Sequence, residues 1–393
     1  MASAAVSRGA AAMPKPWLLG CADCAMRLPF RKQSESKLGE TMNASVPRVA
    51  SDELRAFAAR ALEAAGLSAE QAVDAARLMV EADVRGSDTH GIIRLPLNVR
   101  RIRAGGINPK PNIRVVSERP SAALVDGDNA IGHLVMKHAA EVAIEKAKKT
   151  GASWVGARMS NHAGAGSLYA TMPLAHDMIG LYFAVGGSNY LPPWGGREAL
   201  LGTNPVAIAV PAGDEFPIVL DMAPTVTSFG KVRLKMQRGE PMPEGWMIDR
   251  EGNPLTDAKR AADEGLLLPI GGYKGYGLAM MIGILAGTLN RAAFGRDVVN
   301  MNAGPDEITN TGHAIAAVSV ETFCPVADFK RAVDQVVRDM RSVERVPGVE
   351  RIYVPGEQSA LKARDRAANG IPMPKPLKDS LDAVARDLGI DPL

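Results

Sequence analysis

The chain has 393 residues, 46% of them hydrophobic and 23% charged. It is too long for one small core and ordinary in composition for a globular protein. Its net charge of +3 comes from residues 1–41, which hold six basic and three acidic side chains, leaving 40 of each in the remainder. A body so balanced lacks the electrostatic footprint of a nucleic-acid or membrane-surface protein. Three cysteines exclude a disulfide scaffold and fit a reducing, cytoplasmic setting. Cys21 and Cys24 form a lone C-x-x-C without the second pair of a zinc site, so no metal is expected. The longest apolar run, residues 278–289, is twelve residues long. A membrane span needs about twenty, so the run reads as a buried helix.

Residues 1–41 lack periodicity and read as a disordered leader, an upstream start-site extension with the domain beginning near Met42. A transit peptide is the alternative. Residues 42–120 read as a helical part. Ser51 is placed to cap a helix ending at Gly66, and Ser68-Ala-Glu-Gln71 is a capping box for a second helix. A third helix is expected from about Gly91 to Ala104, with Pro96 tolerated in its first turns. From 121 to 345 the pattern alternates. Strands are expected at AALVD, SWVGARM, IGLYFAV, VAIAVP, PIVLDM and HAIAAVSV, with helices at 134–149, 165–177, 274–290 and 326–341. Residues 228–238 read as a basic helix or extended arm. Cys324 is taken as a core thiol. The C-terminal segment, 346–393, opens with a short strand, RIYVPG, before further helices. The class is α+β or mixed α/β with a large sheet.

Four stretches carry chemistry. In SNHAGAGSLYA (160–170) the glycines lack the third position of a dinucleotide fingerprint, and Asp177 comes too early for its acidic partner. His162 sits at a strand-to-helix turn, either as a proton carrier near neutral pH or as a structural cap of the turn. In RGSDTHGIIR, His90 and Arg94 lie four apart, a spacing that puts imidazole and guanidinium on one helical face. Together they suit a substrate carboxylate; alternatively Arg94 is a surface charge. WGGREALLGTNP and LPIGGYKGYG offer glycine-rich backbone for anions beside Asn204 and Lys274, or simply packing turns. Asp221 ends an apolar strand, to hold ribose hydroxyls or to cap a turn.

Five motifs in order, RGSDTHGIIR, RMSNHAGA, GGREALLGTNP, VLDMA with Gly230-Lys231, and GGYKGYG, resemble the malate/L-lactate dehydrogenase family, which is distinct from the Rossmann-fold dehydrogenases. Its members include ureidoglycolate and sulfolactate dehydrogenases and Δ1-piperideine-2-carboxylate reductase. The resemblance spans about Ser51 to Arg366. It implies a non-Rossmann NAD(P)-binding fold, a homodimer, and NAD or NADP as cofactor. It also implies that His162 is the proton acceptor and that His90 and Arg94 lie at a small carboxylate substrate. The cofactor is expected against Asp221, Met222 and Ala223, Lys274 and Gly275, and Gly356, Glu357 and Gln358, with Ser188 and Asn204 nearby. The implied reaction interconverts a malate-, lactate- or ureidoglycolate-type 2-hydroxy acid and its 2-keto acid. A cyclic-imine reductase would need the same groups, and a phosphate-binding transferase is the alternative of another class.

Against the family pattern, Thr89 stands for Ser before the histidine, Asn98 for Tyr, Ala163 for Phe and Pro224 for Thr. The small Asn98 and Ala163 predict a roomier or more polar substrate pocket. Glu357 or Asp221 would favour the free ribose of NAD, whereas Lys231 or Arg233 would greet a 2′-phosphate.

Overall fold

The computed structural model describes residues 46–393. The leader, the start near Met42 and the Cys21–Cys24 pair lie outside the described residues. The first helix, α1 (Ser51–Ala65), buries Leu54, Phe57, Ala58, Ala61 and Leu62 at helical spacing and ends at Gly66, φ 127°. Ser51 is its first residue rather than its cap; Ala50 holds that position without a side-chain bond. Ser68 does cap α2 (Ala69–Val84), accepting from the Gln71 amide at 3.3 Å. The expected third helix is broken. Two 3₁₀ turns, Asp88–His90 and Ile92–Arg94, precede α3 (Leu95–Ala104), because Gly91 leaves the helical region between them, at φ −98° and ψ −139°.

Seven strands form the main sheet: β2 (Arg114–Arg119), β3 (Ala122–Asp126), β4 (Ala152–Ser160), β5 (Met178–Ala184), β6 (Val206–Val210), β7 (Ile218–Met222) and β10 (Thr311–Ser319). Their order is β2-β3-β4-β10-β5-β6-β7. Only β3 and β4 run parallel, joined through α4 (Gly132–Thr150); every other neighbour is antiparallel. A doubly wound sheet is therefore absent and the fold is mixed α/β, as expected. β2 was not foreseen: it is an edge strand with four charged or polar residues in RVVSER, almost all exposed.

The main core lies where α4 and α5 (Ser167–Ala170) cover the sheet, with Val135, Met136 and Ala139 against Val155, Ile315 and Tyr182. The expected 165–177 helix shrinks to α5 and a 3₁₀ turn, Met172–His176, with Pro173 in its first turn. A second core joins α1, α2 and α3 to α11 (Lys375–Leu388), and β1 (Arg48–Val49) pairs antiparallel with β11 (Ile371–Pro372). The basic stretch forms a helix, α6 (Phe229–Arg238), beside the unforeseen α7 (Ala258–Glu264) and the short pair β8 (Met247–Ile248) and β9 (Leu266–Leu267).

Three expectations need correction. RIYVPG is not a strand; it runs unpaired into α10 (Glu357–Asn369), held to β7 by the Val219 amide on the Pro355 carbonyl at 3.0 Å. Cys324 lies half-buried beyond the last sheet strand, ahead of α9 (Val326–Ser342), and not in the core. Finally, α8 (Tyr273–Ala286) is not buried all round. Gly275, Ala279, Gly283 and Ala286 face the protein, while Tyr273, Leu278, Met281 and Ile284 face outward. A helix apolar on every face does not tell from sequence which side is covered.

Candidate active site

The site is assembled at the end of β4. Past Ser160, Asn161 is buried, and its side-chain amide donates to the Asn129 and Ala130 carbonyls at 3.2 and 2.9 Å and to Asn129 Oδ1 at 3.0 Å. Its Oδ1 accepts from Arg101 and from Thr309 Oγ1 at 3.2 and 3.1 Å. Both polar atoms of the Asn161 side chain are thus engaged, which fixes the turn that presents His162. Gly132 must be a glycine beneath this turn, since a Cβ there would lie 2.1 Å from the Asn161 carbonyl oxygen. Arg101, almost fully buried, also donates to the carbonyls of Gly106, Met301, Gly304 and Glu307 and so ties the 301–307 segment to the same point.

His162 faces His90, the rings stacked with centroids 5.6 Å apart and planes 22° apart. Burial, then the nearby Arg94 cation, then His90 hold His162 well below the ordinary histidine range. Burial and Arg94 likewise push His90 down to about 4. Both rings are therefore neutral at physiological pH. Thr89 Oγ1 lies 2.9 Å from His90 Nδ1, and the Gly164 amide donates weakly to His162 Nδ1 at 3.3 Å. Arg94 Nε donates to the Thr89 carbonyl at 2.8 Å. That bond leaves both terminal nitrogens of the fork without a protein acceptor among the described residues. His90 and Arg94 meet through this turn, not across a helical face as their spacing predicted.

Asp83 underlies the turn. Its carboxyl accepts from the Ile92 amide at 2.7 Å, and burial pushes its pKa up to about 8. Asp83 thus stays largely protonated at neutral pH. A Cβ on Gly91 would lie 2.2 Å from that carboxyl group. Gly91→Ala is expected to destabilise the protein by about 1–3 kcal/mol and to lower activity by displacing His90. Denaturant titration alongside steady-state rates would check both; unchanged stability would count against the packing described here.

A cleft of about 880 Å³ opens beyond α5, lined by Arg85, Ser87, Phe216, Asp221, Gly356 and Gln358 among others. Asp221 accepts from the Ser167 amide at 2.8 Å; burial raises its pKa, and the Ser167 bonds partly offset this. Gly356 lies in the left-handed region, φ 88°, with Val219 where a Cβ would stand, so the chain passes close against β7. Of the other residues assigned to the cofactor, Met222 ends β7, Ala223 follows it, and neither is among those lining the cleft. Lys274 is exposed at the start of α8, and Gly275 packs against the Ile270 carbonyl.

Three of these side chains are occupied within the fold. Asn204 joins the Gly186 amide to the Ala279 carbonyl at 2.9 and 2.8 Å. Ser188 Oγ donates within 2.7 Å of Asn300 Oδ1 and of the Gly187 carbonyl. Glu357 is buried between Arg341 and Arg351. Its carboxylate is thereby committed to an ion-pair cluster, whereas Asp221 lines the cleft, as does Glu81, which pairs with Arg85 at 2.8 Å. Ala163 is buried and packs in the main core. Asn98 is buried with its amide nitrogen unpartnered.

Sequence reading missed Asp83, Arg101, Asn161, His133 and His313. His313 on β10 binds Tyr182 OH and Ser160 Oγ at 2.9 and 3.1 Å. His133 is wholly buried with neither ring nitrogen partnered, its Nε2 beside Gly164. The lone histidine inside each of the apolar runs IGHLVM and GHAIAAV was the available signal.

Two imidazoles thus lie beside a guanidinium fork whose terminal nitrogens have no acceptor among the described residues. The chain belongs to the malate/L-lactate dehydrogenase family, whose model matches residues 49–382, and it is a dehydrogenase acting on CH–OH donors. It is 38% identical to a malate dehydrogenase of Pyrococcus horikoshii over 88% of this chain and 97% of that protein. The solved sulfolactate dehydrogenase of Methanocaldococcus jannaschii superposes with a TM-score of 0.82 at 35% identity, covering 88% of this chain and 98% of the other. A Δ1-piperideine-2-carboxylate reductase from Pseudomonas syringae gives 0.77 at 26% identity, over 86% and 100%.

Proposed function

We propose that this dehydrogenase uses NAD or NADP to interconvert a small 2-hydroxy acid and its 2-keto acid, with His162 as the acid–base group. The observation that carries the reading is the neutral His90–His162 pair next to the free fork of Arg94. Arg94 binds the substrate carboxylate through two parallel N–H bonds, and His90 hydrogen-bonds a neighbouring oxygen. Neutral His162 takes the hydroxyl proton at Nε2 when its own proton sits on Nδ1, a tautomer that requires only release of the long Gly164 contact. In reduction the protonated ring returns that proton to the keto oxygen.

The cleft at Asp221 fits a nicotinamide cofactor: its volume is that of a large ligand site, and the Asp221 carboxylate that lines it supplies acceptors of the kind ribose hydroxyls need. Asp221, Gly356 and Gln358 would hold it, with Lys274 at the start of α8. A bound nicotinamide supplies the hydride acceptor or donor. The outward apolar face of α8 supports a homodimer, and the few cysteines support a cytoplasmic protein. Reduction of a cyclic imino acid is the second reading, favoured by the likeness to the Pseudomonas syringae reductase.

Nicotinamide absorbance with NADH and NADPH against 2-keto acids and cyclic imino acids tests the proposal. Turnover of a 2-keto acid is expected. Turnover of cyclic imines alone would favour the second reading, and absence of cofactor binding would remove both.

A further inference from the structure

We infer that His313, held in one tautomer by Tyr182, is a positioning residue for His162, an inference that rests on the reading of His162 as the acid–base group. β4 and β10 meet at a bulge just before that histidine. Between the pairs Ala157–His313 and Ser160–Thr311, β4 carries one residue more than β10, and Met159 lies in the left-handed region at φ 47°. The end of β4 is thereby brought over the His313 side chain. His313 Nε2 lies 3.1 Å from Ser160 Oγ and 3.3 Å from the Asn161 carbonyl oxygen. On the far side of the ring, Nδ1 lies 2.9 Å from Tyr182 OH. All four residues are buried.

These contacts admit one arrangement of protons. Burial pushes His313 down to about 4, so at neutral pH the ring is uncharged and has a single N–H. A carbonyl only accepts, so the bond to Asn161 needs that proton on Nε2. Tyr182 OH has no other acceptor among the described residues and donates to Nδ1, which agrees. With the proton on Nδ1 instead, the Nε2 lone pair would face the Asn161 carbonyl and push away the peptide that joins Asn161 to His162. The chain beyond His162 is held as well: the Ala163 carbonyl accepts from Tyr169 OH at 2.5 Å, and the Tyr169 ring packs on that of Tyr182 with centroids 5.4 Å apart. His133 is buried as deeply with no ring partner at all. Burial in this fold therefore does not by itself account for the bonds of His313.

Tyr182→Phe removes the tautomer lock and keeps the ring. It should lower kcat by about ten- to a hundredfold, as expected for a displaced reacting group, and leave KM for the 2-keto acid within about threefold. His313→Gln, whose amide nitrogen can still donate to the Asn161 carbonyl, should retain more of kcat than His313→Leu. A packing role alone predicts lower stability in denaturant, an unchanged kcat for folded Tyr182→Phe, and equal rates for the two His313 variants; that result would overturn the inference. Nuclear magnetic resonance of protein carrying isotopically labelled histidine decides the matter without turnover. The wild-type His313 ring should hold its proton on Nε2, and the His162 ring signals should move in Tyr182→Phe. A proton on Nδ1 of His313, or unmoved His162 signals, would equally overturn it. Should His162→Ala keep its rate, the acid–base reading falls alone, and the same spectra still decide whether His313 and Tyr182 hold the turn.

Discussion

Replacing His162 with alanine is expected to lower kcat for 2-hydroxy-acid oxidation by about 10²–10⁴-fold, the span attributable to a positioned acid–base group. Cofactor affinity should stay within error, because His162 lies on the Asn161 turn and not among the residues lining the cleft at Asp221. The contrast with Arg94→Gln is the informative part. Losing the fork removes binding common to ground and transition states, so KM should rise more than kcat falls. Losing His162 removes an interaction needed only as the proton moves, so kcat and kcat/KM should fall together. Steady-state kinetics with fluorescence titration of NADH separates these outcomes. A fall of less than about tenfold in His162→Ala would assign proton transfer elsewhere, with His90 the next group to replace.

The residues of this centre were legible because each sits in a short motif at a turn: His90 and Arg94 between two glycines, His162 at the end of an apolar strand. The groups that hold them were not. Asp83 looks like an ordinary acid late in a helix, and only the fold brings the Ile92 amide onto it. Arg101 reads as a surface charge on an amphipathic helix, yet the 301–307 carbonyls, two hundred residues away in sequence, bury it. The strand alternation gave the sheet, while the exposed edge β2 and the outward face of α8 escaped because hydrophobic patterning records neither an edge nor a covering neighbour. Asn204 and Glu357 are the converse case: polar residues in the right motifs whose side chains the fold has already engaged.

Stability should respond to pH through two buried devices of opposite sign. His133 and His313 are wholly buried, and burial pushes each down to about 4. The unfolded chain protonates its histidines near 6.5, so between 6.5 and 4 it binds more protons than the folded one. Their contribution is therefore complete above pH 6.5 and is lost as pH falls toward 4, by about 3 kcal/mol each between pH 7 and pH 4. Asp83 runs the other way. Burial pushes its pKa up to about 8, so the folded protein keeps a proton that the unfolded chain releases from about pH 4 upward. Its contribution is greatest in acid and is eroded as pH rises to 8, by about 4 kcal/mol between pH 4 and pH 7. Asp83 thus offsets only part of the histidine effect in the wild-type protein, since His90 and His162 are held low as well and act in the same sense as His133 and His313.

Asp83→Asn, which keeps an acceptor for the Ile92 amide, should expose it. Relative to wild type, that variant should gain about 4 kcal/mol between pH 4 and pH 7. His133→Gln should change in the opposite sense by about 3 kcal/mol over the same range. Denaturant titrations at the two pH values measure both differences directly. Parallel pH profiles for the wild type and both variants would mean that these groups titrate as freely in the folded protein as in the unfolded chain, and the neutral setting of the His90–Arg94 turn would lose its physical basis.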